Sequence, residues 1–112
     1  MQLNVIRADD SITHVAMLGR LDLEGVNHIQ DQFVFNTTTR QRATLVDVSQ
    51  VTFIASLGMG MFVSVAKALQ RRGAKMVLLA PTNLVQQALQ AAGINQVIPI
   101  AHEEEEALQL LR

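Results

Sequence analysis

Strand-like and helix-like segments alternate along this chain, and this alternation restricts its fold more than any other feature. Residues 3–7 and 12–18 are short apolar segments joined by a polar turn, a pattern that predicts an antiparallel hairpin. From residue 24 the apolar spacing becomes helical, with Val26, Ile29 and Phe33 on one face. Three further strand–helix pairs follow, so the predicted order is β-β-α-β-α-β-α-β-α.

A strand followed by a helix and another strand favours parallel neighbours joined by right-handed crossovers. We therefore predict an α/β fold with a mixed sheet of four to five strands, in which the N-terminal hairpin is antiparallel and βαβ units follow. About four helices pack on this sheet. No linker or repeat divides the chain, so residues 1–112 are predicted to form one domain.

Apolar spacing also predicts which helix positions face the core. The stripe predicted for the second helix contains Met59, Phe62, Val63, Ala66 and Leu69. Met61 lies off this stripe and is predicted to be at the surface. The buried side predicted for the third helix contains Leu84, Val85, Ala88, Leu89 and Ala92, and a last short strand is predicted over residues 97–100.

Composition excludes several functional classes. The formal net charge is -1, and the chain has four Phe but no Trp or Tyr, which gives no basic patch or stacking platform for nucleic acid. There is no Cys, so disulfides and thiol catalysis are excluded. The chain also has no signal peptide pattern and no apolar run long enough for membrane insertion, and we expect a cytoplasmic location. No spacing indicates a metal site, a cofactor or a catalytic constellation, so a non-enzymatic protein is expected.

The segment from residue 47 to residue 60 is the strongest candidate for a functional site in the sequence. Ser56 follows the central strand and precedes the second helix, a position where N-capping residues occur. Ligands of open α/β sheets bind at the same end of the strands, and a phosphate there would face the positive end of the helix. Position alone therefore leaves two readings open for Ser56, a helix cap and a phosphorylation site.

Residues 47–60 read Asp-Val-Ser-Gln-Val-Thr-Phe-Ile-Ala-Ser-Leu-Gly-Met-Gly. This segment resembles the STAS domain signature, approximately D-L-S-x-V-x-F-[MI]-D-S-[ST]-G-L-G in one-letter form. Residues 19–22, Gly-Arg-Leu-Asp, are similar to the family's segment after the second strand, and residues 90–100 resemble its terminal segment. The similarity spans nearly the whole chain.

Small single-domain proteins of this kind resemble bacterial anti-sigma factor antagonists. The resemblance implies a partner-switching protein, bound and phosphorylated by an anti-sigma factor with a histidine-kinase-like ATPase fold and restored by a PP2C-type phosphatase. In the family the phosphorylated hydroxyl belongs to the Ser-[Ser/Thr] pair of the signature. The first position of this pair is Ser56 here, and the second is Leu57, which has no hydroxyl group to phosphorylate.

The chain departs from the family pattern at Ala55, where the signature has an acidic residue. Asp22 matches the family's other acidic position and either caps the first helix or contacts the partner. The resemblance implies a partner-binding surface around the phosphorylation site, for which the candidate residues are Asp22, Ala55, Ser56, Leu57, Gly58, Met59 and Met61.

Two other functional classes remain open. Small STAS proteins also resemble the accessory subunit of lipid-transporting ABC systems, which would be distinguished by an ABC ATPase as partner. A nucleotide-using enzyme is the third class, and the lack of both a third glycine after Gly58-x-Gly60 and a phosphate-loop lysine argues against it.

Overall fold

A computed structural model describes residues 1–112. Its elements follow the predicted order, with one additional 3₁₀ turn. They are β1 (Gln2–Ala8), β2 (Ile12–Leu21), α1 (Leu23–Asn36), β3 (Ala43–Ile54), α2 (Ser56–Gln70), β4 (Met76–Leu79), α3 (Asn83–Ala91), a 3₁₀ helix (Ile94–Gln96), β5 (Ile100–Ala101) and α4 (Glu104–Leu110). None of the helices is both long and apolar enough to cross a membrane.

The five strands form one sheet in the order β1-β2-β3-β4-β5. β1 and β2 are antiparallel, and the other neighbouring strands are parallel, which confirms the predicted mixed sheet. Because successive strands are added on one side and crossovers are right-handed, α1, α2 and α3 lie on the same face of the sheet. α4 follows the last strand and packs on the opposite face.

Two apolar clusters bury the two faces of the sheet. The larger one joins β2 and β3 to α1, α2 and α3, and the rings of Phe33 and Phe62 meet edge to face within it at 5.9 Å between centroids. Val15 and Met17 of β2 are fully buried here, as the alternation in this strand predicts. The smaller cluster packs Ala107 of α4 against the other face, where Leu45 and Val77 are its fully buried members from β3 and β4.

The stripe predicted for α2 was only partly right: Phe62, Ala66 and Leu69 are buried as predicted, but Met59 and Val63 are only half-buried. Met61 is only 4% exposed and belongs to the core, whereas Met59 is half-buried at its margin. The buried stripe of α2 runs through Gly58, Met61, Phe62, Val65, Ala66 and Leu69. Its first member is a glycine, which a search for apolar side chains does not detect.

Three predictions near the C-terminus also need correction. Leu84, predicted to be buried, is 64% exposed, whereas Val85 and Leu89 are buried as predicted and Ala88 packs partly buried against the core. Ala92 is exposed at the end of the same helix. The strand predicted over residues 97–100 is reduced to Ile100–Ala101, because the preceding segment forms the 3₁₀ turn and returns Ile98 to the core.

Candidate functional site

The parallel strands β2, β3 and β4 all end at one edge of the sheet, where α1, α2 and α3 begin. The carboxyl ends of parallel strands are the usual binding edge of open α/β sheets. β2 and β3 are held together at this edge, since the N–H of Ala55 donates to the carbonyl oxygen of Leu21 at 2.9 Å. This contact places the loop that contains Asp22 beside the start of α2.

Asp22 is the N-cap of α1, which confirms the capping role expected from the sequence. Its Oδ1 accepts a hydrogen bond from the N–H of Gly25 at 2.9 Å, and its Oδ2 lies 3.3 Å from the Nε of Arg20. The hydrogen bond from Gly25, helped by Arg20, holds the pKa of Asp22 below its ordinary value. Asp22 is therefore an anion engaged within its own loop, although part of its carboxylate faces solvent.

Arg20 and Phe53 form a second feature of this edge that the sequence did not reveal. The two residues are neighbours in the register between β2 and β3, and the Arg20 guanidinium lies 4.4 Å from the centroid of the Phe53 ring. A cation held over an aromatic ring in this way is stabilised by the ring quadrupole. Only the strand register brings the two side chains together, and register is not readable from either segment alone.

Ser56 is the first residue of α2 and not its cap. The N-cap is Ala55, which has the extended backbone expected of a cap but makes no side-chain hydrogen bond. The interpretation of Ser56 as a capping serine is therefore wrong. Its side chain is exposed at a helix start where no side chain satisfies the free N–H groups.

An apolar groove lies next to this helix start. Its volume is about 190 Å³, and it is lined by Phe53, Ile54, Leu84, Val85 and Ala88. Leu84 is 64% exposed at its rim, and Leu57, directly after Ser56, is 46% exposed. An exposed apolar side chain at an apolar groove is typical of protein-binding surfaces.

The structure separates the remaining candidate residues by their accessibility. Leu57 is exposed, and Ala55 and Met59 are half-buried. Gly58 and Met61 are buried and face the core of their own domain, so neither offers a surface to a partner. For Met61 this is the opposite of the prediction, because Met61 lies on the same buried side of α2 as Gly58.

At this edge Ser56 offers an exposed hydroxyl group. The first turn of α2 contains no acidic residue, and Asp22 is engaged with Gly25 and Arg20. A serine without an adjacent base is a weak nucleophile. The free N–H groups and the dipole of α2 would, however, stabilise an anion attached at this position.

The comparisons with known proteins agree with this architecture. Residues 5–107 match the family model of the STAS domain. An anti-sigma-factor antagonist (STAS) domain protein from Planctomyces limnophilus has a similar structure, with a TM-score of 0.81 and 20% identity over 96% of each chain.

The anti-sigma factor antagonist SpoIIAA in its unphosphorylated form superposes with a TM-score of 0.77 and 18% identity, over 96% of this chain and 94% of that one. SpoIIAA of Bacillus in its phosphorylated form gives a TM-score of 0.70 and 18% identity, over 99% and 100% of the two chains. Part of the murine anion transporter Slc26a9 is also similar, with a TM-score of 0.76 and 13% identity, over 89% of this chain but 17% of the transporter. At these identities the similarity establishes the fold.

Proposed function

This chain belongs to the STAS domain family, and we propose that it is a non-enzymatic regulatory protein of a bacterial partner-switching pathway, controlled by phosphorylation of Ser56. The observation that carries this proposal is the state of Ser56 itself. Its side chain is exposed at the first position of α2, in the signature position of the phosphorylated serine, and does not cap the helix. A hydroxyl with no structural role at this edge is free to be modified.

The partner in this proposal is an anti-sigma factor or a related serine kinase with a histidine-kinase-like ATPase fold. The kinase supplies ATP and the base that the chain lacks. The Ser56 Oγ attacks the γ-phosphorus, a phosphate monoester forms, ADP leaves, and the hydroxyl proton passes to the kinase. A PP2C-type phosphatase hydrolyses the monoester and returns the chain to its first state. SpoIIAA, a protein of the same fold, has been solved in a phosphorylated form.

The surface around Ser56 explains why phosphorylation would release the partner. Leu84 presents apolar area at the groove, Leu57 presents apolar area directly after Ser56, and the first turn of α2 has no acidic residue. A partner that covers this surface excludes water from Ser56. A phosphate group adds about 1.5 to 2 negative charges at that point, and burying these charges without a cation is costly.

Binding of two Ser56 variants tests this function. The partner is first captured from native cells with the unmodified chain, and Ser56 phosphorylation is followed by mass spectrometry in the same sample. In a calorimetric titration with the captured kinase, Ser56→Ala is expected to bind as the wild type does and Ser56→Asp to bind more weakly. Equal affinities of the two variants would contradict the proposal.

The same capture distinguishes the alternative function. If the chain is a STAS accessory subunit of a lipid-transporting ABC system, an ABC ATPase co-purifies in a fixed ratio and no phosphate is found on the Ser56 peptide. The apolar surface at Leu57 and Leu84 would then contact the ATPase. Neither outcome requires an enzymatic activity of the chain.

A further inference from the structure

The two glycines of α2 differ in what surrounds them. A Cβ on Gly58 would lie 3.1 Å from the Cβ of Leu21 and 3.2 Å from the Cγ1 of Ile54, so the packing of the domain itself opposes a side chain there. Gly60 is exposed, and a Cβ on it would meet no atom within 4 Å. Its backbone is not among those with positive φ. Nothing within the chain therefore requires a glycine at position 60.

Gly60 nevertheless weakens the helix in which it lies. It is the fifth residue of α2, a helix of 15 residues. A glycine in an exposed helix interior is less favourable than alanine by about 0.5–1 kcal/mol, because it loses more backbone entropy on folding. The exposed positions further along the helix carry Ser64, Lys67 and Gln70, all of which have a higher helix propensity than glycine. Gly60 therefore lowers the stability of α2, and no contact within the chain explains why a glycine stands there.

Gly60 and Ser56 share one side of α2. They are four residues apart, a spacing that places two side chains about 5–6 Å from one another on a helix surface. Both positions are exposed, whereas Gly58, Met61 and Phe62 face the core. The first charged residue of α2 is Lys67. A partner that reaches Ser56 along this side of α2 therefore meets no charged residue of the helix before Lys67, and the helix backbone is bare at Gly60.

We propose that the serine kinase that modifies Ser56 packs an uncharged segment directly against the α2 backbone at Gly60, and that the missing side chain sets how closely it approaches the Ser56 hydroxyl. This inference rests on the proposed function and identifies a specificity-determining residue for it. Close approach of a second backbone is one of the conditions under which glycine is required. Reacting atoms must lie about 3–3.5 Å apart for transfer, and a displacement of about 1 Å can slow a reaction about 100-fold, so a methyl group between the two proteins would impair it.

The substitution Gly60→Ala tests the inference, because it separates folding from recognition. The variant is expected to melt at a higher temperature than the wild type and to bind the captured kinase about tenfold more weakly, a loss equivalent to about 1.4 kcal/mol. Ser56 phosphorylation should slow at least as much. Gly60→Leu should weaken binding further while it leaves the fold intact.

Gln70→Ala is the matched control, since position 70 is exposed on the same helix and lies about 15 Å further along its axis. This variant should bind and be phosphorylated as the wild type is. If Gly60→Ala matches the wild type in both kinase assays, or if it destabilises the fold, the inference is wrong while the proposed function stands. If no kinase binds or phosphorylates the wild-type chain itself, the proposed function fails, and the inference fails with it.

Discussion

Gly58 lies so close to Leu21 that a methyl group on it would stand 3.1 Å from both the Cβ and the carbonyl oxygen of that residue. The carbonyl oxygen cannot move away easily, because it accepts the hydrogen bond from Ala55 that joins β2 to the start of α2. The contact fixes the height of α2 above the sheet. The position of Ser56 at the binding edge therefore depends on a glycine that is itself buried.

Gly58→Ala is expected to destabilise the domain. Overpacking of a well-packed core costs about 1–3 kcal/mol, which exceeds the gain of up to about 1 kcal/mol from better helix propensity. Urea unfolding would measure this loss, with Gly60→Ala as the matched comparison because the same substitution meets no neighbours there. An increase in the free energy of unfolding for Gly58→Ala would show that Leu21 yields to the methyl group.

The two methionines of α2 provide a test of its helical phase. Met61 is 4% exposed in the main core, and Met59 is half-buried at its margin. Met61→Ala should lower the free energy of unfolding by about 2–5 kcal/mol, the range for a buried large-to-small change. Met59→Ala should lower it less in the same denaturation experiment. The reverse order would restore the phase predicted from the sequence.

The element order and the mixed sheet were predictable because periodicity reports them directly. The full stripe of α2 was not, since it begins at Gly58, which carries no hydrophobic signal, and includes Met61 and Val65, which the predicted stripe left out. The exposure of Leu84 was not predictable either, since Val85 and Leu89 are the buried residues of α3 and Leu84 is left at the rim of a groove. Both errors lie at the candidate site, where a glycine is buried and a leucine is exposed, contrary to the usual pattern of apolar side chains inside and other residues outside.

The same limits apply to the chemistry of the site. The capping role of Asp22 was predictable, because it depends on a local signal at the start of α1. The contact between Arg20 and Phe53 was not predictable, because it depends on the register of two strands that are distant in sequence. The sequence pattern also could not show whether Ser56 or its neighbour Ala55 is the N-cap of α2, because it does not locate a helix start to within one residue.

The absence of a capping role for Ser56 has a measurable consequence. Ser56→Ala should change the free energy of unfolding by less than about 0.5 kcal/mol, as is usual for exposed sites without special contacts. Thr82 is a control, because its hydroxyl accepts from the N–H of Val85 at 3.3 Å and caps α3. Thr82→Ala should lower the free energy of unfolding by about 0.5–2 kcal/mol. An equal loss for both variants would mean that Ser56 supports the helix after all.

Stability in acid should depend on the carboxylate of Asp22. Its pKa in the folded chain is lowered from 3.8, chiefly by the N–H of Gly25. The ionised group therefore contributes stability that is present above this value and is lost as the pH falls through the lower folded pKa. Asp22→Asn retains a good cap without the charge, so its acid-induced loss of stability should be smaller than that of the wild type.

Urea unfolding from neutral pH down to about pH 2 would measure this difference. Asp9 changes stability in the same direction, since Arg7 and Ser11 also lower its pKa. For this reason the comparison is made between the variant and the wild type, in which Asp9 is common to both. Identical pH profiles for the two proteins would exclude a contribution from Asp22.

Ala55 occupies a cap position that is prepared for a carboxylate. Its backbone angles, φ -97° and ψ 169°, are close to those of Asp22, φ -95° and ψ -169°, and both residues stand three positions before a glycine in their helix. Ala55→Asp should therefore accept a hydrogen bond from the N–H of Gly58, as Asp22 does from Gly25. The expected gain in the free energy of unfolding is about 0.5–2 kcal/mol.

The same substitution probes what a phosphate on Ser56 would contact. In the wild type the free N–H groups of α2 are available to the phosphate, so phosphorylation should raise the melting temperature through its interaction with the helix dipole. In Ala55→Asp the new carboxylate occupies part of this site and repels the phosphate, so the gain on phosphorylation should be smaller. Calorimetric melting of both chains, with and without the phosphate, measures the coupling between the two positions. Equal gains in the two chains would mean that the phosphate does not use the start of α2, and its effect would then be confined to the partner.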